Sequence, residues 1–217
     1  DWTNDADPSA ALGRLRDAMA RERFDPTTWP LFHVAFSRDA TASRVHLGID
    51  LLIVDVPSLA LLLDQWSRLY READFVLPAP GIGFRDYVLH RRQRDDTADR
   101  AYWAERSAGL PPAPILPGMK PLDARRDWPW HRHRGVLPAP AWQALQARAR
   151  AAGVTPVVAL VTSFAAVLGR WTADPRFTLN LTVNDREHIH PGITQVVGDF
   201  TSTVLLGMDT ASGLPFA

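Results

Sequence analysis

Apolar residues at helical spacing open the chain, and alternating apolar residues follow them. "SAALGRLRDAMARERF" places Leu12, Leu15 and Met19 on one face of a predicted helix that Ser9 can cap. "PLFHVAFSR" and "SRVHLGIDLLIV" predict two strands joined by the turn "DATAS". In the second strand the alternation continues to Asp50. The continuous apolar run that follows predicts a strand buried on both faces.

The middle of the chain predicts three helices and a connecting segment. Pro57 suits the first turn of a helix. The apolar stripe of this helix consists of Leu59, Leu62, Leu63, Trp66, Leu69 and Tyr70. "FRDYVLHRRQ" and "TADRAYWAERSAGL" predict two more helices, the second capped by Thr97 and closed by Gly109. The proline-rich segment 111–130 lacks periodicity and predicts a crossover between two lobes.

The second half of the chain predicts a similar mixture of elements. "HRHRGVL" predicts a short strand, and "APAWQALQARARAAG" predicts an amphipathic helix that ends at Gly153. Thr155 and Pro156 are the predicted N-cap and first residue of a helix that is apolar on nearly all sides, so we expect this helix to be buried. "RFTLNLTVN" and "DFTSTVLLGM" predict the last two strands. Mixed strands and helices in two lobes predict an α/β architecture.

Composition and charge exclude several classes of protein. The 217 residues are 46% hydrophobic and 22% charged, with a formal net charge of +0. Such a chain offers no strongly charged surface to a nucleic acid or a membrane, and its apolar runs are far shorter than the roughly 18 residues of a membrane span. The absence of cysteine excludes disulfides and thiolate metal sites. Because the chain opens without a methionine and stops soon after its last predicted strand, we expect it to be a piece of a longer protein.

Two aspartates, Asp50 and Asp55, are the first candidates for chemistry. Pro57 indicates that the strand has ended by Asp55, whose carboxylate could then bond to free N–H groups at the helix N-terminus, where Ser58 also lies. Capping this helix, or pairing with an arginine, would make Asp55 a structural residue, since buried charges are usually paired. Asp50 is predicted to lie in mid-strand, where structural and functional roles are equally open.

The strand "FTLNLTVN" has one face that is polar and uncharged. This polar face consists of Thr178, Asn180, Thr182 and Asn184. A solvated strand usually carries charged residues, so we expect the polar face to line a channel, with its last two residues near Asp199 or Asp50. An ordinary half-exposed strand is the alternative, because threonine favours strands anyway.

Other motifs carry weaker signals. "VVGDFTST" places Asp199 after a glycine, which permits close backbone approach, and before Thr201 and Ser202. No GxSxG, P-loop or GxGxxG motif is present, so the sequence does not support a serine hydrolase or a nucleotide-binding function. Two pairs of histidines have a spacing that could chelate a metal, without an evident third ligand: His131 with His133, and His188 with His190.

Six segments in a fixed order resemble the heterocyclization domain of nonribosomal peptide synthetases. They are "HLGIDLLIVDVPS", "FRDYV", "AYWAER…LPPAPILP", "WQALQARARAAGVTP", "FTLNLTVNDREHIHP" and "VVGDFTS". The resemblance covers nearly the whole chain, and the family's DxxxxDxxS pattern maps onto Asp50, Asp55 and Ser58. "LTVNDREHIHP" departs from the family's usual motif, because Asp185 is inserted between Asn184 and the arginine.

This family is a branch of the condensation superfamily, so the resemblance implies a two-lobed, chloramphenicol-acetyltransferase-like α/β fold with a tunnel between the lobes. Residues 1–115 would be the later part of the N-terminal lobe, and residues 116–217 the early part of the C-terminal lobe. Ordinary condensation domains carry HHxxxDG, whose second histidine aligns with Leu51 and whose aspartate aligns with Asp55. The resemblance therefore implies that Asp55 is a salt-bridged anchor and that Asp50 stands where a histidine would otherwise be. The implied catalytic candidates are Asp50, Asp55 and Asp199, and the implied substrate-binding residues are Ser58, the polar face, Thr201 and Ser202.

The implied activity belongs to a cytoplasmic bacterial megasynthase and has two stages. The amine of a carrier-bound Cys, Ser or Thr attacks an upstream acyl thioester. Its side chain then attacks the new amide carbonyl, and loss of water gives a thiazoline or oxazoline, which needs a base and an acid. The implied partners are upstream and downstream carrier proteins with phosphopantetheine arms and a neighbouring adenylation domain, with no cofactor, metal, nucleic acid or membrane. The family's Thr–Asp pair for cyclodehydration lies beyond the end of this chain, so we expect a piece of this length to be incomplete.

Two alternatives stay open at this stage. The arginines of "LHRRQRDDTADR" favour a non-catalytic module that docks acidic carrier proteins, although such charge runs are usually solvated helix faces. A degenerate domain that forms the amide and stops is the other alternative.

Overall fold

A computed structural model describes residues 1–119 and 133–211, which contain the six predicted α-helices and four of the five predicted strands in the predicted order. The helices are α1 (Pro8–Arg21), α2 (Val56–Arg71), α3 (Phe84–Arg92), α4 (Thr97–Ser107), α5 (Ala139–Ala151) and α6 (Pro156–Gly169). The strands are β1 (Phe32–Arg38), β2 (Ser43–Ile49), β3 (Arg176–Asn184) and β4 (Thr201–Asp209). A 3₁₀-helix at Pro191–Gln195, which the sequence analysis missed, lies between the last two strands. The strand predicted at "HRHRGVL" is absent from its described part, residues 133–137.

The strands form two sheets of two strands each. β1 pairs with β2 in antiparallel register, from Phe32 opposite Ile49 to Arg38 opposite Ser43. The turn between them is built on Asp39, whose carboxylate accepts the N–H groups of Thr41 at 2.7 Å and Ala42 at 2.9 Å. β3 pairs with β4 in the second sheet. All four of these strands were predicted from the sequence.

At the N-termini of three helices, the structure corrects two predicted caps and confirms one. α1 is capped by Asp7, not Ser9, because Pro8 occupies the first helical position and the Asp7 carboxylate accepts the N–H of Ala10 at 2.9 Å. α4 likewise has Asp96 as its N-cap, with Thr97 inside the helix. At α6 the predicted cap is confirmed, since the Thr155 hydroxyl accepts the N–H of Val158 at 3.3 Å.

The strand predicted to continue past Asp50 ends before it, at Ile49. The Asp50 carboxylate accepts the N–H of Leu52 at 2.9 Å, and its carbonyl accepts the N–H of Ile53 at 3.2 Å, so the chain turns here. Residues 51–53 are exposed instead of buried on both faces. Of this aliphatic run, Val54 is the residue that is fully buried.

The chain divides into two compact units. The first contains Asp1–Arg94 and Val183–Ser202, and the second contains Asp95–Thr182 and the chain from Thr203 onward. The core of the first unit consists of Tyr87, Ile193, Val196 and Phe200, with Ile82, Phe84 and Ile189 packed against it. The core of the second consists of Ala165, Phe177 and Leu179, with Val161, Leu168, Leu181 and Met208 packed against it. The predicted lobe boundary at residues 115 and 116 stays a prediction.

Helix α6 is less buried than its composition suggests. One stripe, which includes Val161, Ala165 and Leu168, packs in the core with β3. Because a helix presents only part of its circumference to one neighbour, apolar side chains elsewhere on it stay exposed, among them Phe164 at 59%. In the described residues no single helix is long and apolar enough to cross a membrane; α5 and α6 reach that length and hydropathy only as a pair, with a bend of 100° between them.

Candidate functional site

An ion pair between Asp55 and Arg186 joins distant parts of the chain in the first unit. Arg186 Nη2 lies 3.3 Å from Asp55 Oδ1 and 3.4 Å from Oδ2. The Arg186 side chain is 9% exposed and the Asp55 side chain 3% exposed. This geometry confirms that Asp55 is held by a salt bridge, and it identifies the arginine that the sequence analysis did not name.

Asp55 also organises the start of α2. Its Oδ1 accepts the N–H of Ser58 at 2.7 Å, so Asp55 is the N-cap of this helix as predicted. Its Oδ2 accepts the N–H of Phe200 at 3.3 Å, and its own N–H donates to the carbonyl of Gly198 at 3.0 Å. The DxxxxDxxS segment and the VGDFTS segment are therefore bonded directly to each other.

The Ser58 hydroxyl completes the same cluster and is fully buried. It donates to the carbonyl of Gly198 at 2.9 Å and accepts from the N–H of Gly198 at 3.2 Å and from Arg186 Nη2 at 2.8 Å. A hydroxyl has one hydrogen and two lone pairs. All of these are occupied within the site, so the structure places Ser58 in the anchor beside Asp55.

Arg186 is held on its other sides by backbone oxygens and a ring. Its Nη1 donates to the carbonyls of Ile193 at 3.0 Å and Val196 at 2.9 Å. The guanidinium lies 3.8 Å from the centroid of the Phe200 ring, a favourable cation–π arrangement. Arg186 Nε is buried and has no hydrogen-bond partner among the described residues. These contacts fix the guanidinium plane at the ion pair.

The environment of Asp55 keeps its carboxylate ionised. Burial by itself raises the pKa of Asp55, but the side chain and N–H of Ser58, the charge of Arg186 and the N–H of Phe200 lower it by more. The pKa of Asp55 therefore lies below the usual aspartate value. An ionised carboxylate with this many donors is suited to an anchor.

A second cluster ties helix α3 to the chain on either side of Arg186. The Tyr87 hydroxyl donates to the carbonyl of Asp185 and accepts the N–H of Glu187 at 3.4 Å. Arg91 Nη2 lies 2.6 Å from Asp185 Oδ2, and Arg91 Nη1 bonds to Glu187 Oε1. Sequence reasoning noted "FRDYV" and the inserted Asp185 without assigning them this role.

The remaining acidic candidates lie at turns and have few partners. The Asp50 carboxylate accepts the N–H of Leu52, and among the described residues this is its one hydrogen bond. Asp199 is half-buried, and its Oδ1 accepts the N–H of Thr201 at 2.9 Å. Ser202 is half-buried, and Thr201 is exposed at the start of β4.

The polar face of β3 is divided by its surroundings. On the opposite face Phe177 and Leu179 are buried, Leu181 is half-buried and Val183 is exposed, so the predicted alternation is confirmed only in the first part of the strand. The Thr178 hydroxyl donates to the carbonyl of Pro111 at 2.6 Å, so this threonine is covered by a loop of its own unit. The other three members, Asn180, Thr182 and Asn184, are exposed in this chain. Their place along a channel stays a prediction.

Two of these exposed residues have specific neighbours. Asn180 borders an open pocket of about 270 Å³ in the second unit. The pocket is otherwise lined by Leu160, Val161, Phe164, Leu179 and Leu181. The Asn184 side chain accepts the N–H of Arg186 at 3.0 Å, so it supports the backbone of the anchor.

The histidines do not form a metal cluster in the described residues. His190 Nδ1 accepts the N–H of Gly192 at 3.0 Å and so caps the 3₁₀-helix. Within residues 1–119 and 133–211 no three His, Cys, Asp or Glu side chains are grouped closely enough to hold a metal ion. His131 lies outside the described residues, so its predicted pairing with His133 has no structural description.

Comparison with known proteins identifies relatives along the whole chain. A family model described as "Condensation domain" matches residues 1–217. Pyochelin synthetase PchF of Pseudomonas aeruginosa is 36% identical over 211 residues, which are 95% of this chain and 12% of that protein. Phenyloxazoline synthase MbtB of Mycobacterium tuberculosis is 37% identical over 213 residues, covering 91% of this chain and 14% of that protein.

The fold has a similar match among solved structures. The EpoB NRPS cyclization-docking bidomain from Sorangium cellulosum matches with 36% identity and a TM-score of 0.87, over 97% of this chain and 44% of that one. The chain thus spans less than half of this structure and a small part of the curated relatives.

Proposed function

The chain belongs to the condensation-domain family of nonribosomal peptide synthetases and has the fold of their condensation and cyclization domains, and we propose that it is part of a heterocyclization domain. In the full-length protein this domain would join a carrier-bound acyl thioester to a carrier-bound Cys, Ser or Thr. It would then cyclise and dehydrate the product to a thiazoline or oxazoline.

The observation that carries this proposal is the composition of the turn between Asp50 and Asp55. Ordinary condensation domains would have a histidine at position 51, where this chain has an exposed leucine that cannot accept a proton. The anchoring aspartate at position 55 is nevertheless retained with its arginine partner. The turn therefore keeps the family's framework without its imidazole. The names of the similar proteins, a phenyloxazoline synthase and a cyclization bidomain, support the same reading.

The geometry separates the three acidic candidates by role. Asp55 has a lowered pKa and its oxygens are filled by donors, so it holds the site together and is a poor proton acceptor. Asp50 and Asp199 each accept one N–H among the described residues, which leaves carboxylate oxygens open for a substrate. We assign the proton transfers of the reaction to these two carboxylates, together with residues of the full-length protein outside this chain.

The partners follow from the reaction. Domains of this family work with carrier proteins and adenylation domains, and they need no cofactor of their own. For this protein we propose an upstream and a downstream carrier that present their substrates on phosphopantetheine, and a cytoplasmic location. Energy for amide formation comes from the thioester, so no further activation is required.

A non-catalytic docking module receives less support from the structure. The arginines that favoured it are partly neutralised, since Arg91 pairs with Asp185 and Glu187, and Arg100 pairs with Asp96. The positive charge that α3 and α4 offer to an acidic carrier is thereby reduced. Heterocyclization remains the function that we propose.

An intact-mass assay tests the proposal. The full-length protein is incubated with a donor carrier that bears an acyl group and an acceptor carrier loaded with Cys, Ser or Thr. The expected product on the acceptor carrier has gained the acyl group and lost one water. A product that keeps the water would indicate a condensation-only domain, and carrier binding without acyl transfer would indicate a docking module. Either result would contradict the proposed function.

A further inference from the structure

Arg186 pairs with Asp55 although two other carboxylates are its immediate neighbours in the chain. Asp185 precedes it and Glu187 follows it. Attraction between unit charges is strong at short range in a partly buried site, so both neighbours are potential competitors for the guanidinium. Both neighbours instead contact helix α3.

Tyr87 of α3 fixes the backbone on both sides of Arg186. Its hydroxyl donates to the carbonyl of Asp185 and accepts the N–H of Glu187 at 3.4 Å. Its ring lies 4.7 Å from the ring of Phe200, which in turn lies under the Arg186 guanidinium. One buried side chain therefore contacts the backbone that carries Arg186 and supports the ring on which its guanidinium rests.

Arg91, one turn further along α3, holds the competing carboxylates. Arg91 Nη2 lies 2.6 Å from Asp185 Oδ2, and Arg91 Nη1 bonds to Glu187 Oε1. Arg94 adds a contact of 3.0 Å to the same Glu187 oxygen. Both acidic side chains are thereby turned towards α3 and their charge is compensated there.

We propose that Tyr87 and Arg91 are positioning residues that hold Asp185 and Glu187 against α3 and so direct Arg186 to Asp55. In this arrangement Arg186 joins the DxxxxDxxS turn to the VGDFTS segment. The consequence for catalysis rests on the proposed function, whereas the choice of partner by Arg186 does not.

The test uses Tyr87→Phe and Arg91→Gln in the full-length protein, with Arg92→Gln as the matched control. Arg92 is an exposed arginine at the next position of α3. Hydrogen–deuterium exchange reports the ion pair directly, because the amides of Ser58 and Phe200 donate to Asp55. We expect both variants to accelerate exchange of these two amides by between about twofold and 100-fold, as for coupled neighbouring residues. Amides of β1 should be unchanged, and Arg92→Gln should match the wild type throughout.

A rescue variant separates positioning from general stabilisation. Combining Arg91→Gln with Asp185→Asn and Glu187→Gln removes the two competing carboxylates together with the guanidinium that binds them. If Arg91 acts by directing Arg186, the triple variant regains protection at Ser58 and Phe200. It should also regain turnover. We expect Arg91→Gln alone to lower turnover by about 10- to 100-fold, because Arg186 and Asp55 would no longer hold the site in its productive geometry. Arg91→Lys, which keeps the charge but loses the paired contact, should lie between Arg91→Gln and the wild type.

Each outcome decides one of the two proposals. Unchanged exchange at Ser58 and Phe200 in both Tyr87→Phe and Arg91→Gln would overturn the positioning role. So would a triple variant with weaker protection than Arg91→Gln, because a purely structural network loses more with every contact removed. If the wild type forms no heterocycle while exchange follows the expected pattern, the proposed function fails and the positioning role stands.

Discussion

Arg186 and Asp55 are 131 positions apart in the sequence, and Arg186 Nη2 lies 3.3 Å from Asp55 Oδ1. The pair brings the end of the first predicted catalytic motif to the loop after β3. The same guanidinium rests on Phe200, next to Asp199. The pair therefore ties the end of the turn that begins at Asp50 to the segment that carries Asp199.

Removing the charge of Asp55 should lower the stability of the fold more than it affects the chemical step. We expect Asp55→Asn to lower the free energy of unfolding by about 3–5 kcal/mol, because it leaves the buried Arg186 without its counter-charge. Asp50→Asn, which affects an exposed turn with one N–H contact, should cost only about 0.5–1.5 kcal/mol. Denaturant unfolding of the full-length protein and of both variants gives these values. If Asp55→Asn melts like the wild type and yet loses activity, Asp55 takes part in the catalysed reaction and its assignment as a structural anchor is wrong.

Acid should remove the contribution of Asp55 over a defined range. Its pKa is lowered in the folded state, so the stabilisation is complete above the unfolded aspartate pKa of about 3.9 and is lost as the pH falls through the lower folded value. The difference in unfolding free energy between wild type and Asp55→Asn should be constant near neutral pH and should shrink below about pH 4. Unfolding measured along a pH series checks this. A difference that grows in acid would show that the pKa is raised.

Gly198 should not tolerate a side chain. A Cβ at this position would lie 2.2 Å from Phe84 Cδ2, inside the core of the first unit. We expect Gly198→Ala to cost about 1–3 kcal/mol through overpacking and to lower turnover, because the Gly198 backbone bonds to Ser58 and Asp55. Gly13→Ala is the control, since nothing lies within 4 Å of a Cβ there. In the interior of α1 this change should stabilise by up to about 1 kcal/mol. Equal effects of the two substitutions on thermal unfolding would contradict the close packing at Gly198.

Two threonines on the polar face of β3 should respond differently to loss of the hydroxyl. Thr178→Val leaves the Pro111 carbonyl without its donor, at a cost of about 1–3 kcal/mol in stability. Thr182→Val removes an exposed hydroxyl, so its stability should stay within about 0.5 kcal/mol of the wild type. If the polar face lines the substrate path, Thr182→Val should lower heterocycle formation all the same. Thermal unfolding beside the intact-mass assay distinguishes the two effects, and full activity of Thr182→Val would remove Thr182 from the path.

Much of the fold could be predicted because it depends on neighbours in the chain. Alternation at β2 and β3 and helical spacing in α1 are local periodicities, and they predict element types without knowledge of the partner. The capping role of Asp55 was predicted for the same reason, since a carboxylate beside the first turn of α2 can reach its free N–H groups. The salt-bridged anchor role was implied by the family resemblance, and pairing with an arginine was one of the two structural roles that the residues themselves left open.

Tertiary structure decided which groups meet and which remain open. Composition could not show that residues 51–53 are exposed, because burial depends on what covers a segment. Nor could it show that Arg186 would pair with Asp55 in preference to its neighbours Asp185 and Glu187. That choice depends on Tyr87 and Arg91, which lie roughly a hundred positions away and act only once α3 has packed against the loop. The sequence by itself determined that Asp55 lies at the start of a helix and would need N–H donors or a cation, because charge and local periodicity belong to the chain. Folding decided that it has both and that the cation is Arg186, because a contact between distant residues exists only in three dimensions.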